Sequence, residues 1–257
     1  MRSLAKRYLP ASIKSRISRV RLAAMRRRNV GRTAEEVFAE VYEKGLWGSR
    51  NAAVPGSQEL FHSGSGSRGA VSARYVATIR GFLGETGART VVDVGCGDFS
   101  VASGFVDQLD EYVGIDVVDS LIRRNSADFG RPGIRFLKAN AAREELPKAD
   151  VCLIRQVLQH LSNDEVSAIL RGAAHFRWVI VTEHEPAPRR RTGPNRDKPH
   201  GPDTRLDSGS WVDIAAPPFE CTPVTELANV PADEPLYSPG EVIRTVVWEP
   251  KTDGPGY

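Results

Sequence analysis

Four positions near the middle of the chain carry residue types that could grip a polar ligand. Asp93, Gly95 and Gly97 lie within the run Val91-Val-Asp-Val-Gly-Cys-Gly-Asp-Phe-Ser100, and Asp116 follows 23 residues after Asp93. A glycine pair after a β-branched run makes a tight turn in which backbone N–H groups approach a ligand that a Cβ would hold off. An acid at the end of the next strand accepts hydrogen bonds from ribose hydroxyls; its competing role is to cap the helix starting near Val118. Further on, His160 and His184 are side chains able to take a proton near neutral pH. Together these residues suit the binding of a nucleoside-linked ligand and a reaction that needs a base.

Such residues need a frame. Apolar runs over 91–94, 112–115, 134–138, 149–154 and 177–182 alternate with helical patterns over 70–83, 118–127 and 165–172, and apolar spacing over 99–109 approaches a helical period. This alternation predicts a doubly wound, Rossmann-like α/β sheet, mostly parallel. In such sheets ligands sit beyond the carboxyl ends of the strands, where Asp93, Asp116, Asn140, Gln156 and His184 all fall. Two further strands, 224–230 and 242–248, complete a seven-stranded sheet.

A dinucleotide site requires Gly-x-Gly-x-x-Gly, and the third position here is Ser100. The acid-x-Gly-x-Gly of Asp93, Gly95 and Gly97 instead resembles motif I of the class I S-adenosylmethionine (SAM)-dependent methyltransferases, although many members carry glycine where this chain has Phe99. The resemblance spans the five-strand core. It implies that SAM is the cofactor, that Asp93, Gly95, Cys96 and Gly97 hold its amino-acid end, and that Asp116, with Val117, meets its ribose. It also implies that Asn140 and Ala141 lie against the adenine, that Gln156 borders the cofactor, and that the last strand runs antiparallel.

An alcohol acceptor needs a base, and His160 and His184 are the candidates. Several subclasses recede. No Asn/Asp-Pro-Pro-aromatic sequence follows the fourth strand, and no metal site is expected because Asp150 begins its strand rather than ending it. The expected activity is metal-independent O-methylation of a polar small molecule or glycan. A non-catalytic SAM-binding module tethered to a membrane or partner is the alternative, and an NAD-dependent oxidoreductase ranks below it. Residues 186–210, with five prolines and three glycines, are expected to form a lid over the acceptor, offering Arg196, His200, Asp203 and Arg205 to it.

The chain of 257 residues, with 40% hydrophobic and 26% charged residues, suits one α/β domain over about 70–250 plus appendages. Its three cysteines are widely spaced and form no Cys-x-x-Cys pair, which argues against a disulfide framework or zinc site and for the cytoplasm. Neither a membrane span nor a secretory signal is expected. The net charge of +3 hides an asymmetry: residues 1–33 hold eleven Lys or Arg and no acid. That extension reads as a basic amphipathic helix over 11–29, either packed on the domain or lying on an anionic membrane surface, with nucleic acid a lesser option. Residues 34–69 are expected to be a helix and a Gly/Ser-rich loop. The loop, with Arg68, is either a flexible linker or a cover for the pocket.

Overall fold

The computed structural model describes residues 24–47, 63, 67, 69–232 and 237–251. Most of the expected basic helix, and most of the Gly/Ser-rich loop with Arg68, lie outside the described residues. Residues 24–29 are helical.

Seven strands form one sheet: β1 (Thr90–Val94), β2 (Glu111–Asp116), β3 (Ile134–Lys138), β4 (Val151–Arg155), β5 (Trp178–Glu185), β6 (Val224–Pro231) and β7 (Val242–Trp248), in the order β3-β2-β1-β4-β5-β7-β6. The pairs among β1 to β5 are parallel, and β7 runs antiparallel to both β5 and β6. The expected doubly wound sheet with one reversed strand is therefore present.

Strand residues alternate between two apolar layers, as a pleated sheet covered on both faces demands. Val92, Val94, Cys152 and Ile154 point to one layer. Val91, Val151, Leu153 and Ile180 point to the other. Helix α1 (Ala34–Glu43) and helix α4 (Asn163–Ala173) cover the first layer with Phe38, Val41, Val166, Ile169 and Leu170. Helix α2 (Gly69–Thr86) covers the second with Tyr75, Ile79, Phe82 and Leu83. Helix α3 (Asp119–Phe129) feeds both layers through Leu121 and Ile122. α1 and α4 each begin with a complete capping box, Thr33 with Glu36 and Ser162 with Glu165. These boxes satisfy N–H groups that would otherwise lack partners.

The helix expected over 99–109 is absent. Two short 3₁₀ turns, Ala102–Gly104 and Val106–Gln108, stand in its place. Phe99 has φ 66°, incompatible with a right-handed helix start, and nearby serines bond locally instead. Ser100 N–H and Oγ donate to Asp98 Oδ1 at 3.1 and 2.6 Å, and Ser103 Oγ donates to Ser100 O at 2.9 Å. The apolar spacing still serves packing, since Phe99 and Phe105 are buried.

Candidate active site

The glycine turn follows directly from β1. Gly95 and Cys96 donate their N–H groups to Ile115 O at 2.8 and 3.0 Å, which draws the turn against the end of β2. Gly95 has φ +72°, and a Cβ there would lie 2.3 Å from Val157 Cγ2. Gly97 has φ +56°, and its Cβ would lie 2.3 Å from Ser63 Oγ. The turn thus requires glycine both for its dihedrals and for its clearance. Where glycine is common in the resembling family, Phe99 adopts the left-handed conformation anyway. Its ring is buried against Tyr112, Phe129 and Phe136, with centroids 5.1–5.4 Å away. That aromatic packing offsets a backbone cost of roughly 1–2 kcal/mol.

Two buried carboxyls flank the turn. Asp93 accepts a 2.7 Å hydrogen bond from Tyr112 Oη, and burial pushes its pKa up to about 7. Asp116 accepts from Gly97 N–H at 3.3 Å and Val118 N–H at 3.1 Å, so it does support the next helix. Its pKa is pushed up to about 6, again by burial. Such costly carboxyls at strand ends are characteristic of sites rather than of packing.

The turn and both acids open into a cavity of about 300 Å³. Every residue expected to hold the cofactor lines it: Asp93, Gly95, Cys96, Gly97, Asp116, Val117, Asn140, Ala141 and Gln156, together with His160 and His184. Burial pushes the Cys96 thiol well up, which leaves it a filler rather than a nucleophile. Gln156 has φ 54°, and its N–H donates to Thr182 O at 2.7 Å. A non-glycine residue in that region at a cavity wall marks a constrained site.

The two histidines differ. His160 is buried with Nδ1 3.3 Å from Asp203 O, and Trp47 leans on its ring at 4.9 Å. Burial, reinforced by Lys198, lowers its pKa to about 4. His184 lies inside β5, opposite Ile243 of β7, rather than beyond the strand end. Its Nε2 is 3.2 Å from Glu241. Burial lowers its pKa against the pull of Glu241.

Residues 186–210 contribute Pro202 and Thr204 to the cavity, and none of Arg196, His200, Asp203 or Arg205 lines it. Their polar groups are used within the protein. Arg205 is 1% exposed and donates to Leu161 O, Arg196 O and Asn163 Oδ1. His200 bridges Glu165 and Arg32 O, Asp203 accepts from Arg26, and Arg196 is exposed. His200, Asp203 and Arg205 thus make bonds within the protein and lie outside the cavity wall.

Cavity residues that motif reasoning missed come from outside the motif region. Phe38, Tyr42 and Trp47 of the N-terminal segment, Tyr75 of α2, Arg155 at the end of β4, and Tyr237 near the last hairpin all line it. The helix of the 34–69 segment is present as α1 (Ala34–Glu43), but no motif in it points to the cavity that Phe38 and Tyr42 line. Asp98, also in the wall, adjoins the glycine pair and was within reach of the same reasoning. Glu183, with its pKa pushed by burial up to about 8, accepts from Leu158 N–H at 2.8 Å and Gln159 N–H at 3.3 Å, steadying the loop after β4.

Among the described residues no group of three or more His, Cys, Asp or Glu is placed to hold a metal ion, and no helix is long and apolar enough to cross a membrane. Residues 91–176 match the family model described as a methyltransferase domain. No curated protein matches the chain. Among solved structures, the methyltransferase domain of bacterial CtHen1-CN is 15% identical, with a TM-score of 0.50 over 68% of this chain and 97% of that one. The N-methyltransferase NodS from Bradyrhizobium japonicum WM9, in complex with S-adenosyl-L-homocysteine, is 13% identical, with a TM-score of 0.52 over 70% of this chain and 87% of that one. These structures share the fold. Residues 91–176 thus match a methyltransferase domain, and the strand order around them is the fold that these solved structures share.

Proposed function

We propose that this protein transfers the methyl group of SAM to a hydroxyl of a polar small molecule or glycan without a metal ion. The observation that carries the reading is the single cavity that gathers the glycine turn, Asp93, Asp116 and two histidines. The cofactor fits this chain's residues, because the glycine turn, the buried carboxyls of Asp93 and Asp116, and Asn140 all line one cavity. When bound, it supplies an electrophilic methyl on a sulfonium. Asp93 and the turn then hold the amino-acid end, Asp116 the ribose, and Asn140 and Ala141 the adenine.

What remains for the protein is alignment and proton removal. Fixing acceptor and methyl about 3 Å apart in line is worth up to roughly 7–11 kcal/mol. Both histidines line the cavity, and His184 suits the base because His160 has Nδ1 engaged by Asp203 O and its ring packed against Trp47. Calorimetry with S-adenosylhomocysteine, SAM and NAD tests the cofactor. The nucleosides of the methyl cycle should bind and NAD should not, and replacing both Asp93 and Asp116 by alanine should abolish binding. Undiminished affinity in that double variant would overturn the reading.

A further inference from the structure

His184 lines the cavity, and beside it stands a buried carboxylate that does not itself line the cavity. Glu241 sits immediately before β7 and is buried at 6% exposure. Its Oε2 lies 3.2 Å from His184 Nε2 and accepts Ser238 N–H at 3.0 Å, while its Oε1 pairs with Arg190 at 3.1 Å. The carboxylate is therefore held on both oxygens and cannot swing away from the imidazole. The Nε2 approach is within hydrogen-bond distance but not aligned as a full hydrogen bond. The ring of Tyr237 meets the imidazole edge-on, with centroids 5.2 Å apart at 82°. His184 Nδ1 bonds to none of the described residues.

We propose that Glu241 is the positioning residue of the acceptor base, fixing His184 as the Nε2–H tautomer so that the Nδ1 lone pair is free to take the acceptor's hydroxyl proton. The proposal rests on the methyltransferase reading and assigns the acceptor a hydroxyl. As the acceptor oxygen forms its bond to the methyl carbon, the carbon–sulfur bond breaks and its electron pair returns to sulfur, leaving a neutral thioether. The hydroxyl proton passes to Nδ1, and the resulting imidazolium is balanced by the Glu241 carboxylate before the proton leaves to water. A carboxylate behind an imidazole fixes its tautomer and stabilises its charged form.

The charged groups at the ring pull in opposite directions: Glu241 favours the imidazolium, and Arg190 disfavours it. Tyr237 packs on the ring, and Arg155 and Asp93 lie further along the cavity wall. Removing the two charges should therefore move His184 in opposite directions, while the tautomer reports whether Glu241 holds the Nε2 proton.

The test is a ¹⁵N–¹H NMR titration of the full chain with S-adenosylhomocysteine, assigning His184 by its loss in His184→Asn. The Nε2–H tautomer is expected. Glu241→Gln should lower the His184 titration midpoint by at least about 0.5, and Arg190→Met should raise it. If Glu241→Gln does not fold, Glu241→Asp, which withdraws the carboxylate, should lower the midpoint in the same direction. A predominant Nδ1–H tautomer, or midpoints that do not move apart, would overturn the proposal. Failure of S-adenosylhomocysteine to bind would instead overturn the methyltransferase reading and leave the tautomer result standing.

Discussion

The floor and the roof of the cavity are built by different means. The floor is backbone: the Gly95–Gly97 turn, drawn onto Ile115 O, with Asp93 and Asp116 at the ends of adjacent strands. All of it comes from 24 consecutive residues, 93–116. The roof is side chain, assembled from distant parts of the sequence. Trp47 Nε1 donates to Pro202 O at 3.2 Å, Asn140 Nδ2 to Glu35 Oε1 at 3.1 Å, and Arg26 to Asp203 Oδ2 at 2.9 Å, across 105 to 177 residues. At Gly95 and Gly97 the floor admits little but glycine, because both dihedrals and clearances exclude a Cβ. The roof depends on the sum of many replaceable contacts.

Breaking the floor should therefore have the largest effect. Gly95→Ala places a methyl 2.3 Å from Val157 Cγ2 at φ +72°, and should lower S-adenosylhomocysteine affinity on the order of 100-fold with the far-UV spectrum retained. A loss no greater than that of a roof variant would erase the distinction. The next effect is one of pH. Asp93 and Asp116 are raised by burial to about 7 and about 6, and the roles proposed for them require both to be ionised. Affinity should rise by about tenfold or more from pH 5.5 to 8, which calorimetry at several pH values would read. For the unliganded protein the sign reverses. Because both folded pKa values lie above those of the unfolded chain, their contribution to stability is fully present below about pH 4 and is lost as pH rises through about 6 and 7. Thermal melts without ligand measure that part.

On the roof, Trp47→Ala removes the ring that touches Phe38, Tyr42 and His160. It should weaken cofactor binding by about tenfold and leave the turn intact. The smallest effect belongs to Arg26→Ala. Its ion pair with Asp203 is one-third exposed on the arginine side, so stability should change by no more than about 1 kcal/mol in urea unfolding. A larger loss would make the N-terminal segment a structural part of the domain rather than a clasp on it.

This contrast also explains what could be read without coordinates. The strands and the glycine turn were legible because β-branched runs and positive-φ positions impose local rules. Thr33 and Ser162 announced their helices through capping chemistry. The stretch after the turn was misread because the apolar period reports which residues are buried. It does not report that Phe99 enters with a left-handed backbone or that Ser100 and Ser103 bond to their neighbours. The bonds that bury Arg205 and Asp203 are not legible in a proline-rich segment, because their partners lie far away in the sequence. Nothing in the spacing of Arg26 and Asp203 signals that they meet.

Strand order has a consequence for biosynthesis. Within the sheet β6 pairs only with β7, which lies between it and β5. As the chain emerges in order, residues 224–231 have no neighbouring strand to join until residues 242–248 are made. Glu241, which backs His184, arrives at the same moment. The far edge of the sheet and the buried carboxylate beside His184 therefore come into place only with the last strand.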